Sequence, residues 1–226
     1  MARTEQLEHE AVSPGPTRFA LRRMTEADIP QVMDIERDSF PSMWPKTAYS
    51  RELKNKLARY FVLVEKGREE HDDASAEGGL RKKLRRLLRA EGEAPPTRRL
   101  IIGAVGIWLM VDQAHVVTIA VREAFRRQGA AGLMLIATVE LAMVEGMDSV
   151  TLEYRRSSEP ARALYDRFGF LAVGARPQYY SDTKEDAIIM TTPPLRSKSF
   201  QEKFLRLKGQ HERRWGETYG LPESYW

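Results

Sequence analysis

The sequence predicts a mixed α/β domain, and three observations carry that prediction. Strand-like apolar runs and helix-period segments are interspersed along the chain. The strand-like runs cluster, and two of them, "RRLIIGAVGIWLMV" and "AHVVTIAV", flank a "DQ" that suits an antiparallel turn. With 226 residues, 42% of them hydrophobic, the chain has enough apolar side chain to bury one full core.

The elements follow in order. Residues 1–16, ending "SPGP", are expected to be a disordered leader, and the domain to run from 17 to 194. "TRFALRRM" (17–24) reads as a strand, and "TEADIPQVMDIERDSF" (25–40) has helical apolar spacing after a Thr/Asp start. "KTAYSRELKNKL" (46–57) reads as a second helix and "RYFVLVE" as a strand. A charged insertion at about 66–98 then interrupts the fold, and its "GGLRKKLRRLLRAEGE" would be a basic amphipathic helix. After the antiparallel pair comes a helix opening at a Gly/Ala cluster, then "DSVTLEY" as a buried strand. "EPARALYDRFGF" is a helix ending at Gly169, and "LAVGARPQYY" and "EDAIIMTT" are the last two strands. Residues 195–226 form a helical, aromatic extension, expected to pack back on the sheet or to mediate a dimer.

Composition excludes several chemistries. There is no cysteine, so disulfides, thiolate zinc sites and cysteine nucleophiles are ruled out. The four histidines (His9, His71, His115, His211) are scattered, and no metal site is expected. No apolar run approaches the roughly 18 residues of a membrane span and the N-terminus lacks a signal-peptide core, so the protein is expected to be soluble and cytoplasmic. The pI is near 9.3, but the positive charge is local. Residues 80–99 hold eight basic against two acidic residues, whereas 65–79 hold six acidic against two basic. The basic segment 80–90 is thus a candidate contact for ribosomal RNA or an anionic surface, or simply a solvated run.

The stretch that carries chemistry is "VREAFRRQGAAGLMLIATVELA", Val121 to Ala142. A strand entering a helix through small residues leaves the first helical N–H groups unpaired and approachable, and with the helix dipole this makes an anion site. Gly129, Ala130, Ala131 and Gly132 would allow close approach, and Arg126 and Arg127 would add charge. Any nucleotide fits such a site; so does a tight strand–helix junction whose small residues serve packing. The stretch is neither a Walker A loop nor a GxGxxG motif.

Together with "TLEYRRSSEPARALYDRFGF" and "RPQYYSDTKEDAIIM", this stretch resembles the acetyl-CoA-binding half of the GNAT superfamily of N-acetyltransferases, and most of all its ribosomal-protein-alanine N-acetyltransferases. A weaker match runs through "DIERDSFPSMWPKTAYSREL", where Trp44 and Pro45 stand in reverse order. The resemblance implies a mostly antiparallel sheet, splayed near its middle to admit acetyl-CoA and flanked by helices. It implies that Arg126, Arg127, Gln128, Gly129, Ala130, Ala131 and Gly132 seat the coenzyme pyrophosphate, and that the backbone of Ile119, Ala120 and Val121 meets the pantetheine arm and thioester. It also implies Glu153 as general base and Tyr165 as general acid. Ser158 stands where the family has an asparagine that contacts the coenzyme, and caps the following helix in our reading. Phe40, Trp44, Tyr179 and Tyr180 fall where the family binds its acceptor, with Glu185 and Asp186 placed to attract a cationic N-terminus.

Read on their own, Glu153 is an awkward carboxylate on an apolar strand, and Tyr165 suits a core position as well as a catalytic one. An α-amino group titrates near 8 and a lysine near 10.4, so at pH 7 roughly a tenth of the former and under a thousandth of the latter is neutral. That favours a protein N-terminus as acceptor over a lysine or a small amine. A non-catalytic acetyl-CoA-binding module is the alternative from outside enzymology.

Overall fold

The structure, a computed structural model, describes residues 18–40, 47–70 and 98–216. The leader, Trp44, the basic segment 80–90 and the last ten residues lie outside the described residues. The chain opens with β1 (Phe19–Arg23), a 3-10 turn and α1 (Ile29–Ser39). The entry to α1 is pinned by Asp28, whose carboxylate accepts from the Thr25 N–H at 2.7 Å, from its hydroxyl at 2.8 Å, and from both terminal nitrogens of Arg22 at 2.7 Å. Pro30 in the first turn suits a helix start.

The second helix, α2 (Tyr49–Glu52), is a single turn, shorter than the 46–57 expected. Asn55 explains the stop: its side chain accepts from the Leu57 N–H at 3.0 Å, a local bond that competes with helix continuation. β2 (Ala58–Glu70) and β3 (Arg98–Leu109) form an antiparallel ladder that runs to Glu70 opposite Arg98. The described ladder thus includes residues 66–70, within the stretch expected to be insertion, and the rest of that stretch to residue 97 lies outside the described residues.

β4 (Gln113–Val121), α3 (Ala130–Val144), β5 (Ser149–Arg155), α4 (Glu159–Arg167), β6 (Leu171–Tyr180), β7 (Glu185–Thr191) and α5 (Lys198–Trp215) complete the order. The seven strands make one sheet in the order β1-β2-β3-β4-β5-β7-β6. Every neighbouring pair is antiparallel except β4 and β5, which pair in parallel only from Gln113–Ser149 to Val116–Leu152. Beyond that point the two strands part, which gives the splayed, mostly antiparallel sheet that was expected.

Both faces are covered. On one, α3, α4 and α5 bury Val105, Ile107, Leu135, Leu152, Phe170 and Phe204; on the other, α1 and Tyr49 cover Tyr60, Val62 and Ile101. In β5 the alternation is strict: Val150, Leu152 and Tyr154 face the first core, so Thr151, Glu153 and Arg155 face the other side. Among the described residues no helix is long and apolar enough to cross a membrane.

Candidate active site

The strand–helix junction has the shape its sequence implies. Gly129 is the N-cap of α3 in the left-handed region (φ 84°), and no side chain caps the helix. The first amide to find a helical partner there is that of Leu133, which donates to the Gly129 carbonyl at 2.9 Å. The amides of Ala130, Ala131 and Gly132 come before that bond, at the positive end of a 15-residue helix. Arg126 and Arg127 are exposed beside them, Arg127 also with positive φ (60°). Arg126 donates through Nε to the Val121 carbonyl at 3.2 Å, and Gln128 is tied to Arg18 at 3.0 Å and to the Ala124 carbonyl at 2.8 Å, so the loop is braced from both sides. Ile119, Ala120 and Val121 pair with Val105, Ala104 and Gly103 of β3. Among the described residues no strand pairs with their other edge, which borders the gap where β5 departs. This combination, an open strand edge running into an uncapped helix N-terminus, fits an extended ligand ending in a diphosphate.

On the α1 side of the sheet the structure brings Glu153 against His115 of β4, with Oε2 3.2 Å from Nε2, while Oε1 lies 3.1 Å from Arg176. Glu153 thus takes Arg176 rather than its near neighbour Arg155 as cationic partner. Its side chain is 11% exposed. The hydrogen bond from His115, opposed by burial and joined by the charge of Arg176, holds the carboxyl below the usual range, so it is anionic at neutral pH. Tyr165 lies across the sheet, buried on α4 with its ring 5.8 Å from those of Tyr154 and Phe170. Burial pushes its phenol well above the ordinary range, so it remains a proton donor. Burial pushes the phenol of Tyr180 up to about 12, opposed by the charge of Arg155.

The remaining expected residues are placed unevenly. Tyr179 and Tyr180 meet edge-on at 5.2 Å, with Arg155 4.0 Å over the Tyr180 ring and Arg176 5.8 Å from the Tyr179 ring. Phe40, just past α1, is 36% exposed, whereas its expected companion Trp44 lies outside the described residues. Ser158 is the N-cap of α4, but its side chain accepts no capping bond; the nearby Glu185 carboxylate instead takes the Ser157 N–H. Glu185 and Asp186 are not free to attract a cationic substrate. Asp186 accepts from Arg156 at 2.9 Å and from the Gln178 N–H at 3.0 Å, and Glu185 also faces Arg155 at 3.9 Å. Among the described residues no group of three carboxylates or histidines could hold a metal ion.

Sequence reasoning missed His115 and a second cluster. Glu36 of α1 accepts from the Thr118 hydroxyl at 3.3 Å and from that of Thr47 at 3.4 Å, while Glu52 accepts from the Trp108 indole N–H at 2.7 Å. Tyr49 and Tyr60 pack edge-on at 5.5 Å beside these carboxylates, and burial with the nearby charge raises both phenols. A signal for His115 existed in "AHVVTIAV": a polar ring on an apolar strand is the same anomaly that singled out Glu153.

Comparison with known proteins agrees with this geometry. The model of the acetyltransferase (GNAT) family matches residues 29–170. A Bacillus subtilis protein provisionally named a [ribosomal protein bS18]-alanine N-acetyltransferase is 31% identical over 175 residues, 77% of this chain and 95% of its own length. An N-alpha-acetyltransferase of Saccharolobus solfataricus is 29% identical over 176 residues, 77% of this chain and 93% of its own. Among solved structures, the ribosomal-protein-S18-alanine N-acetyltransferase from Escherichia coli superposes with a TM-score of 0.58 at 22% identity, over 78% of this chain and 94% of that one.

Proposed function

The chain belongs to the GNAT acetyltransferase family and is an acetyl-CoA-dependent N-acetyltransferase, and from that premise we propose that its acceptor is the N-terminal α-amine of a protein, with a ribosomal protein in the cytoplasm as the candidate. The observation that carries this reading is the His115–Glu153 pair, on the sheet face opposite Tyr165. It is supported by the names of the relatives that match across most of their length. A paired, partly buried base suits an amine that is already roughly one tenth neutral at pH 7 better than a lysine.

The mechanism follows from what these residues can do. Acetyl-CoA supplies the activated acetyl group and a thiolate leaving group. A carboxylate held below its usual range is a weak base alone, which argues against Glu153 acting unaided. His115 Nε2–H donates to Glu153, so the neutral ring carries its lone pair on Nδ1. We assign Nδ1, directly or through one water, as the atom that takes the amine proton, with Glu153 stabilising the imidazolium that results. A backbone N–H at the unpaired edge of Ile119–Val121 polarises the acetyl carbonyl as it becomes an oxyanion. Tyr165 gives its phenolic proton to the departing sulfur. Tyr179, Tyr180 and Phe40 wall the acceptor channel, and the Glu36–Thr118–Thr47 cluster lines the same face of the sheet. No covalent enzyme intermediate is required.

The test is acetyl transfer against a panel of peptides with free N-termini, N-terminally blocked lysine peptides and polyamines, with mass mapping of the product. Transfer to the α-amine of the first group is expected; acetylation confined to lysine side chains or polyamines would overturn the acceptor assignment.

A further inference from the structure

The extension that follows the last strand builds one more wall onto the junction at Gly129. In Lys198–Trp215 the residues Phe200, Phe204, His211 and Trp215 recur at helical spacing on one face. Ser197 caps the helix by accepting from the Phe200 N–H at 3.4 Å. Phe200 and Phe204 are buried in the main core, with stacked rings 6.3 Å apart, and Lys208 pairs with Glu140 on α3. These contacts lay α5 along α3 and deliver its last turn to the helix N-terminus. There His211, 4% exposed, places Nε2 3.0 Å from the Gly129 carbonyl. The Trp215 ring approaches Gly129 so closely that a Cβ at 129 would stand 2.7 Å from it, and a Cβ at 132 would stand 3.0 Å from His211. Gly129, the N-cap, and Gly132, in the first turn of α3, thus leave room for α5.

Trp215 is only partly buried, with the Arg214 guanidinium 4.9 Å from its ring, and Arg213 and Arg214 are both exposed. A half-open indole with the Arg214 guanidinium against it, touching the residue at which the diphosphate cradle begins, is a surface suited to a purine and a phosphate. Building on the coenzyme reading above, we propose that Trp215 is a binding residue for the nucleotide half of acetyl-CoA: its indole stacks the adenine leaving the cradle, and Arg214 draws the ribose phosphate. The cofactor site would then be completed by an element outside the acetyltransferase fold itself.

Calorimetric titration of the full chain with CoA tests this, using Trp215→Ala, Trp215→Leu and Trp215→Phe. Loss of one base–aromatic stack should raise the Kd for CoA roughly 5- to 100-fold in the Ala and Leu variants, while Phe, which keeps a π-face, stays within about threefold of wild type. Binding of CoA to wild type should also quench indole fluorescence, and the quench should be lost in Trp215→Phe. If the Ala variant does not fold, the Leu and Phe pair decides. Wild-type affinity in Trp215→Leu, or tighter binding in any variant, overturns the proposal, the latter because the helix would then obstruct the site. Failure of wild type to bind CoA at all refutes the coenzyme reading on which the proposal rests, and is distinct from either result.

Discussion

Replacing Glu153 by Gln removes one charge from the centre of the site and leaves its shape. In wild type the carboxylate oxygen lies 3.2 Å from His115 Nε2. An imidazolium at that distance gains about 5 kcal/mol at an effective dielectric of about 20. Exposure of the two side chains, 21% and 11%, screens part of this, so about 3–4 kcal/mol is expected to be lost from the transition state. That corresponds to a fall in kcat of roughly 10²- to 10³-fold at pH 7. Arg176, 3.1 Å from the same carboxylate, stays behind and further opposes a charged ring. The deficit should narrow between pH 7 and 9, because the α-amine, with a pKa near 8, then arrives already neutral. The assay is steady-state transfer to an N-terminal peptide across that range, with calorimetry confirming unchanged affinity for acetyl-CoA. A kcat within threefold of wild type at pH 7, in a variant that still binds the coenzyme, would refute the base assignment.

Tyr165→Phe keeps the ring packed on Tyr154 and Phe170 but removes the proton donor; turnover should fall roughly 10²- to 10⁴-fold with little change in the melting temperature. Asp28→Asn should cost about 2 kcal/mol at pH 7, since it breaks a buried charge-assisted network. The sign follows from burial, opposed and outweighed by the Arg22 and Thr25 bonds, which leave the folded carboxyl below its ordinary 3.8. The stability it confers is present above that value and is lost as pH falls through the lower folded value, so the urea midpoints of the two proteins should stay apart at pH 7 and draw together only as the pH is taken below 3.8. Gly132→Ala puts a methyl 3.0 Å from His211 and should destabilise the protein by about 1 kcal/mol, read from its thermal transition. Replacing residues 71–97 by a short Gly/Ser turn between Glu70 and Arg98, which already face each other, should preserve activity on a free peptide. The same change should weaken salt-sensitive co-sedimentation with ribosomes if the basic segment 80–90 is the contact.

What could be read from the chain was whatever depends on neighbours in sequence. The helix opening at Gly129 and the apolar alternation around Glu153 are local patterns, and each led to its residue directly. The shortness of α2 was missed because Asn55 stops the helix through a side-chain bond that helical spacing does not reveal. His115 stood out as a polar ring on an apolar strand, but its partner could not be read from that strand alone. Its role depends on the parallel register that sets it opposite Thr151, so that Glu153 falls one step further along the same face. Glu185 and Asp186 were misread for want of Arg155 and Arg156 as partners. Trp215 meets Gly129 only because two phenylalanines a few turns earlier are buried, and nothing near Gly129 announces it.

The four-residue parallel pairing between β4 and β5 also has a mechanical consequence. It divides the sheet into two plates, β1 to β4 and β5 with β7 and β6, each knit by its own antiparallel ladders. The plates share few backbone rungs, and α3, packed beneath β3, β4 and β5, is the spar that joins them. Such a seam is the most compliant line in the sheet, and the amides of Val116 and Thr151 should exchange with solvent faster than those within either plate. A molecule wedged between the plates would bridge them and slow that exchange, so the width of the seam, more than the motion of any side chain, would govern how readily the cleft admits and releases what it binds.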